Sequence, residues 1–133
     1  MMALCVDPAR INEVWPHVSQ FIKSACEYGD DTFETTQAEL LSGKALLWLA
    51  CDGDKVLAAA ASKIWKSPKY KICSVLGVGG IQLHDWKTEG LKAIETYAKL
   101  EGCDLVRLSG REGWKRIFID YEQPWIVLEK RLK

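Results

Sequence analysis

Two histidines, no Cys-x-x-Cys pair and no net charge are what this chain of 133 residues offers where common chemical signatures would stand. His17 and His84 lie far apart, and the five cysteines (Cys5, Cys26, Cys51, Cys73 and Cys103) are dispersed. No zinc-ligand spacing results, so no metal site is expected, and an odd count argues against a disulfide framework. Each cysteine reads as a small buried hydrophobe. Lys plus Arg equals Asp plus Glu at 18 each, which leaves no global field to draw in nucleic acid or an anionic membrane. A nucleic-acid partner is therefore not expected. No apolar run reaches bilayer length, and the opening Met1-Met2-Ala3-Leu4-Cys5-Val6-Asp7 is too short and uncharged for a signal peptide. The expectation is a cytoplasmic protein with no membrane partner.

What is present is a balanced globular composition, 48% hydrophobic and 27% charged, in a length that suits one domain over residues 1–133. No repeat, low-complexity tract or linker divides it. Residues 3–6 suit a short first strand. Asp7-Pro8 spells a helix start, and Ile11, Val14, Trp15, Val18, Ile22 and Ala25 share one helical face. Pro16 interrupts that face, so the expectation is a short leading turn, then a helix to about Tyr28. Thr36-x-x-Glu39 is a capping-box spelling, and Gly43 is a helix stop after Leu40 and Leu41. Residues 45–51 and 56–65 read as strands joined by an Asp52-Gly53-Asp54 turn, and 70–78 as another beyond Ser67-Pro68-Lys69. Lys63, Lys66, Lys69 and Lys71 around that last turn read as a solvated end. The longest helix is expected from Trp86 to about Glu101, closed by Gly102. A strand at 105–109, a short helix at 112–119 and a strand at 125–132 complete the chain.

The fold class is thus α/β (α+β): a mixed sheet of about six strands, an antiparallel N-terminal meander then β-α-β-α-β, with helices on both faces. This order resembles the Gcn5-related N-acetyltransferase (GNAT) fold. Several phrases resemble small GNAT-like proteins encoded by phages and prophages: Leu47-Trp48, Val78-Gly79-Gly80, Asp85-Trp86, Ile94-Glu95, Tyr97-Ala98, Gly102-Cys103 and Gly110-Arg111-x-Gly113-Trp114-x-Arg116. The resemblance implies acyl transfer from acetyl-CoA to an amine, with acetyl-CoA as cofactor where two central parallel strands splay apart. It implies that Leu76, Val78, Gly79 and Gly80 hold the pantetheine arm by their backbone, and that Gln82 opens the pyrophosphate turn at a helix N-terminus.

Two departures from that family pattern shape the functional expectation. Asp85 and Lys87 stand where glycine and a small residue belong, and a carboxylate at a helix N-cap would occupy and repel at the amides a pyrophosphate needs. The family's acidic tyrosine falls at Phe118, which has no proton to give, while Tyr121 follows about a turn later as the candidate acid. The expectation is a phage- or prophage-type acetyltransferase-like protein with weak or lost activity. The alternative is a non-catalytic virion or morphogenesis component, partnered by another phage protein or by itself. Three readings stay double. Arg111, Trp114 and Arg116 form an anion or partner patch, or a capped helix start with a core tryptophan. Gly77, Gly79 and Gly80 admit a ligand, or mark a bulge and exit turn. His84 is a helix-entry residue or a base.

Overall fold

The computed structural model describes residues 2–80, 83–110 and 113–133, with Tyr28, Gly77 and residues 83–86 described by backbone alone. One sheet runs in the order β1 (Met2–Val6), β2 (Leu46–Asp52), β3 (Lys55–Lys66), β4 (Lys71–Gly80) and β5 (Leu105–Leu108). The first four strands are antiparallel neighbours, and β5 joins parallel to β4. This is the mixed architecture expected from the sequence. The uninterrupted apolar run of β2 follows from its position, because helices cover both faces of the sheet. Leu47 and Leu49 belong to one core with Ala59 and Ala61, while Trp48 belongs to the other with Ala60, Cys73 and Val75. Side chains alternate across a strand, so four consecutive alanines in β3 serve both cores and let helices come close from either side.

Helix α1 (Ile11–Ala25) buries Ile11, Val18 and Ile22 on the first of these faces. A 3-10 turn, Pro8–Arg10, leads into it, with the Asp7 carboxylate accepting from the Ala9 amide at 2.9 Å. Pro16 sits inside α1 without ending it. Its position is exposed, where water can serve the carbonyl that proline leaves unpaired. Helix α2 (Phe33–Ser42) begins one turn before the expected cap. The Thr32 hydroxyl accepts from the Thr35 amide at 3.1 Å, whereas Thr36 is buried within the helix. Glu39, free of any capping duty, pairs instead with Lys63 on β3. Gly43 ends α2 in the left-handed conformation, φ 83°.

Helix α3 (Leu83–Leu100) covers the opposite face with Leu91, Ile94 and Ala98. It begins earlier than expected, so Asp85 lies in its first turn rather than at its cap. Its end is a Schellman motif: Gly102, φ 76°, donates to the Lys99 carbonyl and Cys103 to that of Ala98. Helix α4 (Trp114–Ile117) is a single turn, shorter than the expected 112–119 segment.

Two expectations are corrected. Residues 125–132 form no strand and are exposed, because a strand needs a neighbour and no described segment of the chain pairs with them. Among the described residues the sheet has five strands. Of the cysteines only Cys73 is fully buried; Cys26, Cys51 and Cys103 are half-buried, and Cys5 is exposed on the outermost strand.

Candidate functional site

The strand ladder breaks where β4 rises past Val75. Ser62 of β3 faces Val75, yet Ala61 faces Gly77, so Leu76 is one residue too many and β4 bulges there. On the other side, β5 pairs with β4 only through Ile72, Cys73, Ser74 and Val75. Residues 77–80 are therefore laddered to β3, and residues 76–80 have no strand partner towards β5 among the described residues. At 3.3 Å per residue this leaves about 16 Å of strand edge whose alternate N–H and C=O groups point into the splay. Helix α3 starts within three residues of that edge, so its unpaired N-terminal amides lie at the same end.

The glycines here answer to packing. A Cβ on Gly79 would stand 2.1 Å from the Phe21 carbonyl oxygen, so α1 rests directly on β4 at this point. A Cβ on Gly80, φ 156°, would stand 2.5 Å from the Leu57 carbonyl oxygen of β3. Of the two readings, close backbone packing and an exit turn account for both positions. Leu76 packs into the core under α1 and Val78 into the one under α3, which leaves their backbones as the groups that line the edge.

Past β5 the chain folds back over α3. The Trp114 indole covers Gly110, where a Cβ would fall 2.6 Å from the ring. Trp114, Phe118 and Tyr121 then form an edge-to-face series, with centroids 5.4 and 6.3 Å apart. Two polar contacts tie this layer down. The Lys87 ammonium donates to the Ile117 carbonyl at 2.9 Å, and the Tyr121 hydroxyl donates to a Glu95 carboxylate oxygen at 2.6 Å. Burial first, and then this bond to Glu95, raise the Tyr121 pKa well above the ordinary phenol value.

The sequence-stated residues thus divide. Leu76, Val78, Gly79 and Gly80 come together on one edge. Tyr121 is held on α3 rather than free, and Lys87 serves α4. Trp114 is half-buried packing and Arg116 is exposed beside it, while Gln82 and Arg111 lie outside the described residues, as do the side chains of His84, Asp85 and Trp86. Glu95 was not named as a site residue; it lies at the polar boundary of a helix face, and nothing in its spacing to Tyr121 marks the pairing. Also unforeseen is the buried bond from Trp48 Nε1 to the Ser62 hydroxyl, 2.8 Å, which satisfies both groups beneath α3.

Elsewhere, an open groove of about 730 Å³ runs between β1, the β2–β3 turn and α1, with an apolar floor including Leu4, Val14 and Val56 and a rim that includes Asp7, His17 and Lys55. Among the described residues no three His, Cys, Asp or Glu side chains gather as metal ligands, and no helix is long and apolar enough to cross a membrane.

No family model matches this chain, and no curated protein matches its sequence. Its architecture does match solved structures over nearly the full length of both partners. A probable acetyltransferase aligns with a TM-score of 0.71 at 10% identity, covering 100% of this chain and 99% of the other. The ribosomal-protein-alanine N-acetyltransferase of Brucella melitensis biovar Abortus aligns at 0.69 and 10% identity, covering 99% and 100%. A GCN5-related N-acetyltransferase of Ralstonia eutropha aligns at 0.66 and 14% identity, covering 98% and 97%. The chain therefore has the GNAT fold.

Proposed function

We propose that this protein binds an acyl-CoA along the open edge of β4 and that its acyl-transfer chemistry is weak or lost. The observation that carries the reading is the splay itself. A free strand edge of about 16 Å offers alternating donors and acceptors to an amide-bearing chain such as pantetheine, with a helix N-terminus at the end where a pyrophosphate would arrive. Support for weak chemistry comes from the layer beyond β5. Phe118 has no proton to give. Tyr121 holds its proton against the Glu95 carboxylate, and a phenol with so raised a pKa yields it poorly to a departing thiolate. The acceptor, if transfer survives, is an amine, and the phage or prophage origin and cytoplasmic setting suggested by the sequence phrases complete the proposal.

Thermal melting in CoA and in acetyl-CoA tests it. A ligand at ten times its Kd adds about 1.4 kcal/mol to the native state, which for a chain of this length raises Tm by about 5 °C. Free-thiol release in the presence of amines should stay near background. Rapid turnover would remove the second half of the proposal, and an unchanged Tm in millimolar CoA the first.

A second reading is a non-catalytic interaction protein on the same scaffold, such as a virion or morphogenesis component. It is favoured by the apolar side chains left exposed after α4, with Ile126 66% and Leu128 86% accessible.

A further inference from the structure

The chain displays both halves of a β-strand addition and joins neither. One half is the outer edge of β5. The strand is last in the sheet and pairs only with β4, so the opposite row of N–H and C=O groups is unpaired by any described strand. The other half is the tail. Trp125, Ile126, Val127 and Leu128 are residue types that favour strands, yet they are 55% to 86% exposed and no described ladder includes them. Such a run of apolar side chains in water is costly unless something covers it.

The tail is held off its own strand edge at its root. Arg107 of β5 shares a sheet face with Trp65, whose Nε1 donates to the Ser74 hydroxyl at 2.8 Å. The Arg107 guanidinium lies over Trp65 at 5.7 Å and over Trp125 at 4.9 Å from the ring centroids. This indole–guanidinium–indole stack pins Trp125 to the face of the sheet, out of the plane in which a strand would add to β5. Residues 126–132 therefore leave the body rather than close it.

We infer that the tail completes the sheet of a second copy of this chain, and receives the second copy's tail on its own β5 in return. The exchange is isologous, so one two-fold axis satisfies both edges and both tails at once and closes the assembly as a dimer. Charge sets its direction. With the incoming tail antiparallel to Leu105–Leu108, Ile126, Val127 and Leu128 lie against the apolar strand. The basic Lys130 and Arg131 then fall beside Asp104 and Glu101, which are exposed at the start of that strand. Leu100, 84% exposed at the end of α3, and Ile119, 79% exposed just after α4, belong to the segments that enter and leave this region and gain cover from the same contact. The inference is independent of acyl-CoA binding at β4.

Sedimentation velocity on the full chain, with circular dichroism as a check on folding, provides the test. The full chain is expected to sediment as a dimer across the micromolar range. A chain ending at Pro124 is expected to sediment as a folded monomer, since the removed residues add nothing to either core. Val127→Pro removes a ladder donor and is expected to weaken the dimer by at least tenfold in Kd. Three results overturn the inference: a monomeric full chain, a dimer that survives the truncation unchanged, or a monomer whose 126–132 amides are protected from hydrogen exchange. The last would mean that the tail pairs with its own β5.

Discussion

Replacing Gly79 by alanine tests how tightly α1 is seated on β4. The new methyl would stand 2.1 Å from the Phe21 carbonyl oxygen and 2.8 Å from its carbonyl carbon, both backbone atoms of a packed helix. Neither can rotate away, so α1 must lift from the sheet or β4 must shift. Overpacking of this kind costs about 1–3 kcal/mol, and a backbone obstacle places this site at the upper end. With an unfolding entropy near 2.1 cal/mol/K per residue, about 3 kcal/mol lowers Tm by roughly 10 °C. Gly29→Ala is the matched control, because a Cβ there meets nothing within 4 Å and the backbone is already extended, φ −172°. That change should be neutral or slightly stabilising, since alanine restricts the unfolded chain. Scanning calorimetry on the two variants gives the comparison. Equal melting temperatures would refute direct seating of α1 on the strand.

Two further outcomes follow from the core beneath α3. Trp48→Phe removes the indole donor to the buried Ser62 hydroxyl, at a cost of about 1–3 kcal/mol in urea unfolding. Adding Ser62→Ala should return part of that loss, and a strictly additive double variant would show that the bond does not couple them. Burial pushes the Cys73 thiol up to about 11, with nearby Cys103 adding to the rise. From the ordinary thiol value upward, the unfolded chain therefore loses this proton before the folded one does, and stability falls as pH rises to about 11. The full chain should lose on the order of 2 kcal/mol more over that window than Cys73→Ala, measured by unfolding at each pH. Parallel curves would contradict the assignment.

Much of the fold was legible because local and tertiary preferences agree in it. The hairpin at Gly53, the stop at Gly43 and the Schellman end at Gly102 each need a left-handed residue and have glycine. The core helices announce themselves by spacing, as with Ile11, Val18 and Ile22. The cap of α2 was misread for a physical reason: Thr32 and Thr36 are both threonines before a helical face, and only burial shows that Thr36 points inward. The final strand failed differently. Trp125-Ile126-Val127-Leu128 has the composition of a strand, but composition cannot supply a partner edge. At the site, the glycines of β4 were legible as a close approach, and the space their missing Cβ atoms leave is taken by the backbones of α1 and β3. The bulge at Leu76 and the lock between Tyr121 and Glu95 depend on strand register and on a contact 26 residues apart in sequence, which no local pattern encodes.

The most direct measurement is a titration of the isotope-labelled protein with CoA, followed through its backbone amide resonances. The account predicts the largest shifts, growing to saturation, at Leu76, Val78, Gly79 and Gly80 and at the first turn of α3, with the β1–β2 edge unmoved. Shifts confined to the groove around His17 and Val56, or no shifts in millimolar CoA, would contradict it.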